Sequence, residues 1–344
     1  MKRLLLLLIV SLANPSAYAG VFDGPELTSM ADFKDGKFQF QSVKKSIYWY
    51  NVTMEGRGVI ERAEKAWIPA LLLMPEKATG KVPAMVLIHG IGGLYFRDGR
   101  KRGYFDYAEA LAKNGVAVLV VDTHGGRGFG VMSNSASNAI SVYTFVADAY
   151  AALDMLRTHP GINGERIGVI GFSKGGATSL LATDERFGKV LSKDGATFKL
   201  HIPIYTGCQV YPEHVRPTGA PVLLLIGEND RFTGTKLCFP VVKQMEQAGI
   251  PVKLVVYPGA SHGWDNPDQT RIDGDVSTED CQYVLKDEGG KVWAEGKPIV
   301  TTEEATAYLK RCTKPGVFYV GRNENAYQES LKTVVEAAKT TLGK

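Results

Sequence analysis

The strongest constraint on the fold of this chain is a serine between glycines, in the run GFSKGG at residues 171–176. Residues 166–170 form a short apolar stretch that predicts a buried strand, and residues 176–182 predict the start of a helix. A serine at such a strand-to-helix turn is typical of a nucleophile elbow, because the tight turn holds the hydroxyl away from the backbone. The sequence therefore predicts Ser173 as a nucleophile at the carboxyl end of a strand.

Two later strand-like runs are each followed by a residue that could activate this serine. Residues 221–227 precede Asp230, and residues 251–257 precede His262. The chain order serine, aspartate, histidine differs from that of chymotrypsin and subtilisin. Because catalytic groups in open α/β sheets lie at the carboxyl ends of the strands, we expect the three side chains to converge. Glu228 is the alternative acid, and chain position favours Asp230.

The roles of these residues follow from the chemistry of acyl transfer. His262 would accept the hydroxyl proton and return it to the leaving group, while Asp230 would orient the imidazole. A pair of residues, His89 and Gly90, follows the apolar run at 84–88, where a loop of this kind supplies an oxyanion hole. We expect its backbone N–H donors at Ile91 and Lys174, with His89 positioning the loop.

Four residues are candidates for contact with a substrate. Arg127 lies in a glycine-rich loop after the apolar run at 116–121, where it could pair with a carboxylate or phosphate. A structural salt bridge is an equally good interpretation of Arg127. His89, Tyr211 and Trp264 are the other candidates.

These motifs resemble the dienelactone hydrolase family of α/β-hydrolases, in particular its exported members with a serine nucleophile. The resemblance is carried by His89-Gly90, the run at 171–176, the run GEND at 227–230 and the run YPGASH at 257–262. It implies a serine or cysteine nucleophile with an aspartate and a histidine, and no metal or organic cofactor. Dienelactone hydrolases proper use cysteine, so serine at position 173 favours hydrolysis of an ordinary ester or thioester.

The alternation of strand and helix patterns from residue 84 onward predicts an α/β fold with a mostly parallel, doubly wound sheet and helices on both faces. Residues 48–53 and 67–74 predict antiparallel strands at its N-terminal side, after a polar lead-in at 21–46. We expect residues 20–344 to form a single domain. Residues 263–322 are too long for a structureless loop and predict an insertion, which either partly covers the site or forms a surface appendage.

Residues 1–19 have the pattern of a signal peptide. Two basic residues precede an apolar core at 4–13, and alanines at 17 and 19 predict cleavage before Gly20. The apolar core is shorter than the roughly 20 residues that a membrane span needs, so no stable membrane insertion is expected. The sequence therefore predicts export to the periplasm or the medium.

Export makes disulfides the default state of the four cysteines. Three pairings are possible, and Cys208–Cys238 with Cys281–Cys312 is preferred. The first bond would brace the loop that carries Asp230, and the second would staple the insertion. No C-x-x-C spacing is present, which argues against a zinc site.

The formal net charge of +4 is small and no basic run occurs, so composition gives no support for nucleic-acid binding. The leading hypothesis is an exported serine hydrolase that cleaves a small carboxylic ester without a metal or cofactor. A binding protein on a hydrolase scaffold, a peptidase and an acyltransferase are the alternatives. The sequence indicates no oligomeric state.

Overall fold

The computed structural model of the chain describes residues 22–129 and 140–343. The predicted signal peptide at residues 1–19 lies outside these ranges. The strands are β1 (Glu26–Leu27), β2 (Gly36–Val43), β3 (Lys65–Leu73), β4 (Val82–Ile88), β5 (Ala117–Val121), β6 (Ile162–Phe172), β7 (His201–Ile204), β8 (Val210–Pro212), β9 (Val222–Gly227), β10 (Val252–Tyr257), β11 (Gln269–Ser277), β12 (Tyr283–Leu285), β13 (Val292–Ala294), β14 (Lys297–Ile299) and β15 (Lys314–Gly321). The α-helices are α1 (Arg57–Arg62), α2 (Tyr104–Lys113), α3 (Val142–Leu156), α4 (Lys174–Leu181), α5 (Glu185–Leu191), α6 (Cys238–Gln247), α7 (Thr302–Cys312) and α8 (Glu324–Leu342).

The central sheet has nine strands in the order β1-β2-β3-β5-β4-β6-β7-β9-β10. The six strands from β5 to β10 in this order are all parallel, whereas β3 is antiparallel to both of its neighbours. From β4 the chain continues to β5 on one side and then to β6 on the other side. The loops that follow β4 and β6 therefore open next to each other at the carboxyl edge of the sheet. The predicted α/β fold with a mostly parallel sheet is confirmed.

Alternate side chains of the central strands point to opposite faces of this sheet, as the strand period of two requires. In β4, Val86 and Ile88 belong to one buried apolar cluster, and Met85 and Leu87 belong to another. Helix α3 packs in the first cluster, and helices α2 and α8 pack in the second. Both faces of the sheet are therefore covered, which explains the near-continuous apolar sequences of β4, β5 and β9.

The N-terminal strands differ from the prediction. Residues 48–53, predicted as a strand, run into a single π-helical turn at Asn51–Glu55, and Tyr48 and Tyr50 are exposed. Strand β2 instead lies in the predicted lead-in, where Phe38 and Phe40 are fully buried and pair with β3. The alternating phenylalanines at 38 and 40 carry the period of a half-buried strand, and the aromatic run at 48–50 does not.

The segment after residue 263 has secondary structure of its own. Strands β11 and β15 form a two-stranded antiparallel sheet, while β14, β13 and β12 extend from the short strand β8 of the body. Helix α7 begins with a capping box in which Thr301 and Glu304 bond each other's backbone N–H groups. The segment is thus attached to the body through a parallel strand pair, β8 with β12.

Two disulfides join Cys208 to Cys238 and Cys281 to Cys312, the pairing that the sequence favours. The first ties the residues after β7 to the first residue of α6, and the Asp230 loop lies between them. The second ties α7 to the chain before β12 and lies in a small apolar cluster with Tyr308. Among the helices of the described ranges, none is both long and apolar enough to cross a bilayer.

Candidate active site

Ser173 stands between the last residue of β6 and the first residue of α4. Its backbone has φ 55° and ψ −112°, a conformation that costs a non-glycine residue on the order of 1–3 kcal/mol. The turn is tight because a Cβ on Gly171 would lie 1.9 Å from the Gly175 oxygen, and a Cβ on Gly175 would lie 2.2 Å from the Ile88 oxygen. The two glycines therefore permit the approach of β4, β6 and α4 that presents the Ser173 side chain.

The imidazole of His262 lies between Ser173 and Asp230. Its Nε2 is 2.9 Å from Ser173 Oγ, and its Nδ1 is 2.8 Å from Asp230 Oδ2. Because the carboxylate accepts from Nδ1, Nε2 is the atom that can accept the serine proton. The side chain of His262 is 12% exposed and that of Asp230 is 2% exposed, so this line of hydrogen bonds is largely shielded from water.

Asp230 is held as an acceptor by its own loop. Its Oδ1 accepts from the backbone N–H groups of Phe232 and Thr233, and its Oδ2 also accepts from the Thr233 hydroxyl. Burial alone would raise the pKa of Asp230, but His262 and the Thr233 hydrogen bonds outweigh it and hold that pKa below its usual value. Glu228, the alternative acid, is exposed and accepts from the Gly259 backbone N–H at 2.8 Å.

The two predicted oxyanion donors lie in the segments that follow β4 and Ser173. Ile91 follows β4 in a turn closed by the Gly93 N–H to Gly90 oxygen bond, and it lines the pocket in front of Ser173. Lys174 is the first residue of α4, so its backbone N–H lies at the N-terminal end of that helix. The Lys174 ammonium donates to the Ile140 oxygen and lies 4.9 Å from the Phe145 ring centre, and burial lowers its pKa to about 8.

His89 is fully buried beneath this loop and contributes no surface to the pocket. Its Nδ1 lies 2.6 Å from the Gly90 carbonyl oxygen, which can only accept, so Nδ1 carries the proton. Burial lowers the pKa of His89 to about 4 and keeps the ring neutral. This geometry matches the loop-positioning role expected for His89 and corrects its assignment as a substrate contact.

Three other predicted substrate contacts are also corrected, because their side chains point into the protein. Arg127 makes two 2.8 Å bonds to Asp148, with side-chain exposures of 3% and 0%, which is the structural salt bridge. Tyr211 is buried with its hydroxyl 3.1 Å from that of Thr183. Trp264 is fully buried, and its indole N–H donates to Ser330 Oγ.

The pocket in front of Ser173 has a volume of about 200 Å³. Its wall includes residues that the sequence analysis did not single out, namely Arg102, Tyr104, Tyr205, Phe232, Asn266, Ile272 and Val320. Two of them have a recognisable sequence position, since Tyr205 directly follows the end of β7 and Phe232 lies two residues after Asp230. Ile272 and Val320 come from β11 and β15, so the segment after residue 263 forms part of the pocket wall.

Tyr205, one residue past β7, also has an unusual backbone, with φ 36°. A bulky residue is rarely found in this left-handed region, and such strain concentrates at functional sites. Its ring packs edge-to-face on the His262 ring with 5.0 Å between centres. Among the described residues, no group of three or more histidines, cysteines, aspartates or glutamates is arranged to hold a metal ion.

The chain is similar to several known proteins. A lactonase from Bradyrhizobium sp., described as a probable 2-oxo-3-(5-oxofuran-2-ylidene)propanoate lactonase, is 29% identical over 195 residues, which are 54% of this chain and 75% of that protein. Dipeptidyl aminopeptidase BIII of Pseudoxanthomonas mexicana is 27% identical over 225 residues, and this chain covers only 32% of its length.

A solved structure named m3DLH superposes with a TM-score of 0.50 at 18% sequence identity, covering 80% of this chain and 94% of that one. At this identity the likeness shows the shared fold alone. The model of the dienelactone hydrolase family matches residues 68–286, which run from β3 to the strands after His262. The chain therefore belongs to the dienelactone hydrolase family and is a hydrolase.

Proposed function

We propose that this chain is an exported serine hydrolase that cleaves a small carboxylic ester through an acyl-enzyme intermediate. The observation that carries the proposal is the unbroken line of hydrogen bonds from Asp230 through His262 to Ser173, with distances of 2.8 and 2.9 Å. The strained elbow at Ser173 supports it, since such strain is retained where a side chain must be presented to a substrate.

The proposed reaction begins when Ser173 Oγ attacks the acyl carbon and its proton passes to His262 Nε2. The imidazolium that forms is stabilised by Asp230, and the carbonyl oxygen, now negative, accepts from the backbone N–H groups of Ile91 and Lys174. His262 then returns the proton to the leaving alcohol as the C–O bond breaks. A water molecule, activated by the same imidazole, releases the acid and restores the serine.

The size and character of the pocket favour a small ester or lactone. A volume of about 200 Å³ is below the usual range of drug-sized ligand sites. Apolar side chains of Phe232, Ile272 and Val320 form part of its wall. The similarity to a protein described as a lactonase supports a ring or open-chain ester as the substrate.

Export is proposed from the signal-peptide pattern of residues 1–19, and the two disulfides support it. Disulfides persist in the periplasm and outside the cell, where the redox environment is oxidising.

The test of the activity treats purified protein with a fluorophosphonate probe and locates the label by peptide mapping. We expect the label on Ser173 in the wild-type chain, and no label in the Ser173→Ala and His262→Ala variants. Ser179→Ala is the matched control, because Ser179 lies in the same helix α4 but is buried with its hydroxyl toward the Val169 oxygen. Label retained in His262→Ala, or absent from folded wild-type protein, would contradict the proposal.

A further inference from the structure

A second group of polar side chains adjoins Ser173 and His262, and the proposed reaction does not use it. It consists of Tyr104, Tyr205 and Asp265, which are 4%, 2% and 1% exposed. Both tyrosines line the same pocket as Ser173 and His262. Buried polar groups are costly unless they are satisfied, so such a group beside a nucleophile invites a functional explanation.

The hydroxyl of Tyr104 lies next to the nucleophile and to the predicted oxyanion loop. A Cβ placed on Gly90 would be 3.0 Å from the Tyr104 hydroxyl oxygen and 3.2 Å from Ser173 Cβ. The Tyr104 ring is fixed on Phe172, the residue before the nucleophile, with 4.5 Å between ring centres. The phenol is therefore positioned on the side of the nucleophile from which the Ile91 loop approaches.

Tyr205 and Asp265 are the polar neighbours of this hydroxyl. The Tyr205 hydroxyl donates to Asp265 Oδ1 at 2.8 Å, and Asp265 Oδ2 has no hydrogen-bond partner among the described residues. Burial raises the pKa of Tyr104, while the Arg102 charge and hydrogen bonds with Tyr205 and the Gly90 backbone oppose that rise. The net effect keeps the Tyr104 proton on its oxygen, so that Tyr104 remains a donor.

We propose that the Tyr104 hydroxyl is a third donor to the oxyanion, beside the backbone N–H groups of Ile91 and Lys174, and that Tyr205 and Asp265 are its positioning residues. This inference rests on the proposed serine hydrolase activity and adds a side-chain donor to it. The strained backbone of Tyr205 fits this role, because a φ of 36° turns its side chain to lie between His262 and Asp265.

The step is a hydrogen bond without proton transfer. As the bond from Ser173 Oγ to the acyl carbon forms, the serine proton moves to His262 and the carbonyl π electrons move to the oxygen. That oxygen gains a full negative charge. It therefore accepts from the Tyr104 hydroxyl more strongly than the neutral hydroxyl oxygen of Tyr205 does. On collapse the electrons return to the carbonyl, the leaving C–O bond breaks, and Tyr104 still holds its proton.

The test compares Tyr104→Phe with Tyr107→Phe in the purified enzyme. Tyr107 is on the same helix and also packs on Phe172, but its hydroxyl is paired with Ser330, away from the pocket. We expect Tyr104→Phe to lower kcat by about 10- to 100-fold with KM changed less than about twofold, because the lost bond forms mainly in the transition state. Tyr107→Phe should lower the Tm and leave kcat unchanged.

The positioning role is tested by a double-mutant cycle. Tyr205→Phe should lower kcat in the wild-type background and have little further effect in Tyr104→Phe. The reason is that Tyr205 acts only through the hydrogen bond that Tyr104 donates to the oxyanion. Independent, additive losses would overturn the positioning role. Unchanged kcat in Tyr104→Phe, in a chain whose Ser173 reacts with fluorophosphonate, would overturn this inference alone. Absence of Ser173 labelling in wild-type protein would overturn the proposed function as well.

Discussion

At the scale of single residues, Asp230 is distinguished by the number of hydrogen bonds that its carboxylate accepts. Asp230 accepts from His262, from two backbone N–H groups and from the Thr233 hydroxyl, whereas Glu228 accepts only from the Gly259 backbone among the hydrogen bonds of the described residues. The two acidic side chains are two positions apart and follow the same strand. They therefore form a natural pair of test and control.

We predict that Asp230→Asn lowers kcat about 10⁴-fold, because an amide favours the wrong imidazole tautomer. Glu228→Gln should stay within about twofold of wild type, since it keeps an acceptor oxygen for Gly259. Steady-state kinetics on a p-nitrophenyl ester, with circular dichroism to verify folding, makes the comparison. A large loss in Glu228→Gln with full activity in Asp230→Asn would exchange the two roles.

A second residue-scale prediction concerns Asp265, whose pKa burial raises to about 6. Because this folded-state pKa lies above the unfolded value near 4, the contribution of Asp265 to stability is complete below about pH 4 and is lost as the pH rises through about 6. The loss should be about 3 kcal/mol, from a shift of roughly two pKa units.

This contribution is isolated by measuring urea unfolding of wild type and Asp265→Asn between pH 4 and 7. The difference in unfolding free energy between them should change across that interval, with wild type losing stability relative to the variant as the pH rises. A difference that is constant with pH would mean that Asp265 keeps an ordinary pKa in the folded chain.

The position of a site residue could be predicted where the course of the backbone alone brings it to the site. It could not be predicted where the direction of the side chain determines what the residue contacts. Ser173, Asp230 and His262 follow strand ends, so parallel strands bring them to one edge whatever their rotamers. Arg127 also follows a strand, but its side chain turns inward to Asp148, and nothing in the local sequence indicates that direction. Ile272 and Val320 reach the pocket wall because the two-stranded sheet of β11 and β15 packs there, and no local sequence pattern indicates that packing.

At the scale of elements, the two disulfides close loops of nearly equal length, with sequence separations of 30 and 31. Chain entropy alone therefore predicts that each stabilises the fold by a similar amount, about 3–4 kcal/mol. Their surroundings differ, because only the Cys208–Cys238 bond closes a loop that contains Asp230. Stability and activity should consequently respond differently to their removal.

We predict that the Cys208→Ser/Cys238→Ser pair lowers both the Tm and kcat, because the Asp230 loop loses its brace. The Cys281→Ser/Cys312→Ser pair should lower the stability of the insertion with a smaller effect on kcat. Differential scanning calorimetry and ester kinetics on both variants test this. Equal loss of kcat in the two variants would contradict the bracing role of the first bond.

Strands β11 and β15 supply the prediction that concerns substrate size. Val320 lines the pocket, whereas Val317 on the same strand is 46% exposed and lies outside it. We expect Val320→Ala to shift the preferred p-nitrophenyl ester toward longer acyl chains, since it removes two methyl groups from the wall. Val317→Ala is the matched control and should keep the wild-type profile. An unchanged profile in Val320→Ala would show that the acyl chain does not lie against β15.

Element prediction succeeded where periodicity and length agreed. The bounds of helix α2 at Tyr104–Lys113 are indicated by the sequence itself, because its apolar residues repeat with the helical period and Gly115 follows its end. The strand predicted at 48–53 failed because aromatic residues favour strands in general, and here Tyr48 and Tyr50 remain exposed in a helical segment.

At the scale of the whole molecule, export gives a prediction about the chain's N-terminus. Expressed in a bacterium with a periplasm, the full sequence should yield periplasmic protein that begins at Gly20. Edman sequencing of that fraction, with a thiol titration of the denatured and unreduced protein, is the measurement. Recovery in the cytosol with residue 1 intact, or four free thiols, would contradict export and the disulfides respectively.

The backbone of His262 is joined to the two-stranded sheet of β11 and β15. The N–H of Gly321, the last residue of β15, donates to the His262 carbonyl oxygen at 2.7 Å, and the Asn323 N–H donates to the Trp264 oxygen at 3.1 Å. A two-stranded sheet is only marginally stable by itself, whereas the nine-stranded sheet carries both apolar cores. We therefore expect the two-stranded sheet to open on heating before the nine-stranded sheet unfolds, so that ester hydrolysis is lost at a lower temperature than the main unfolding transition.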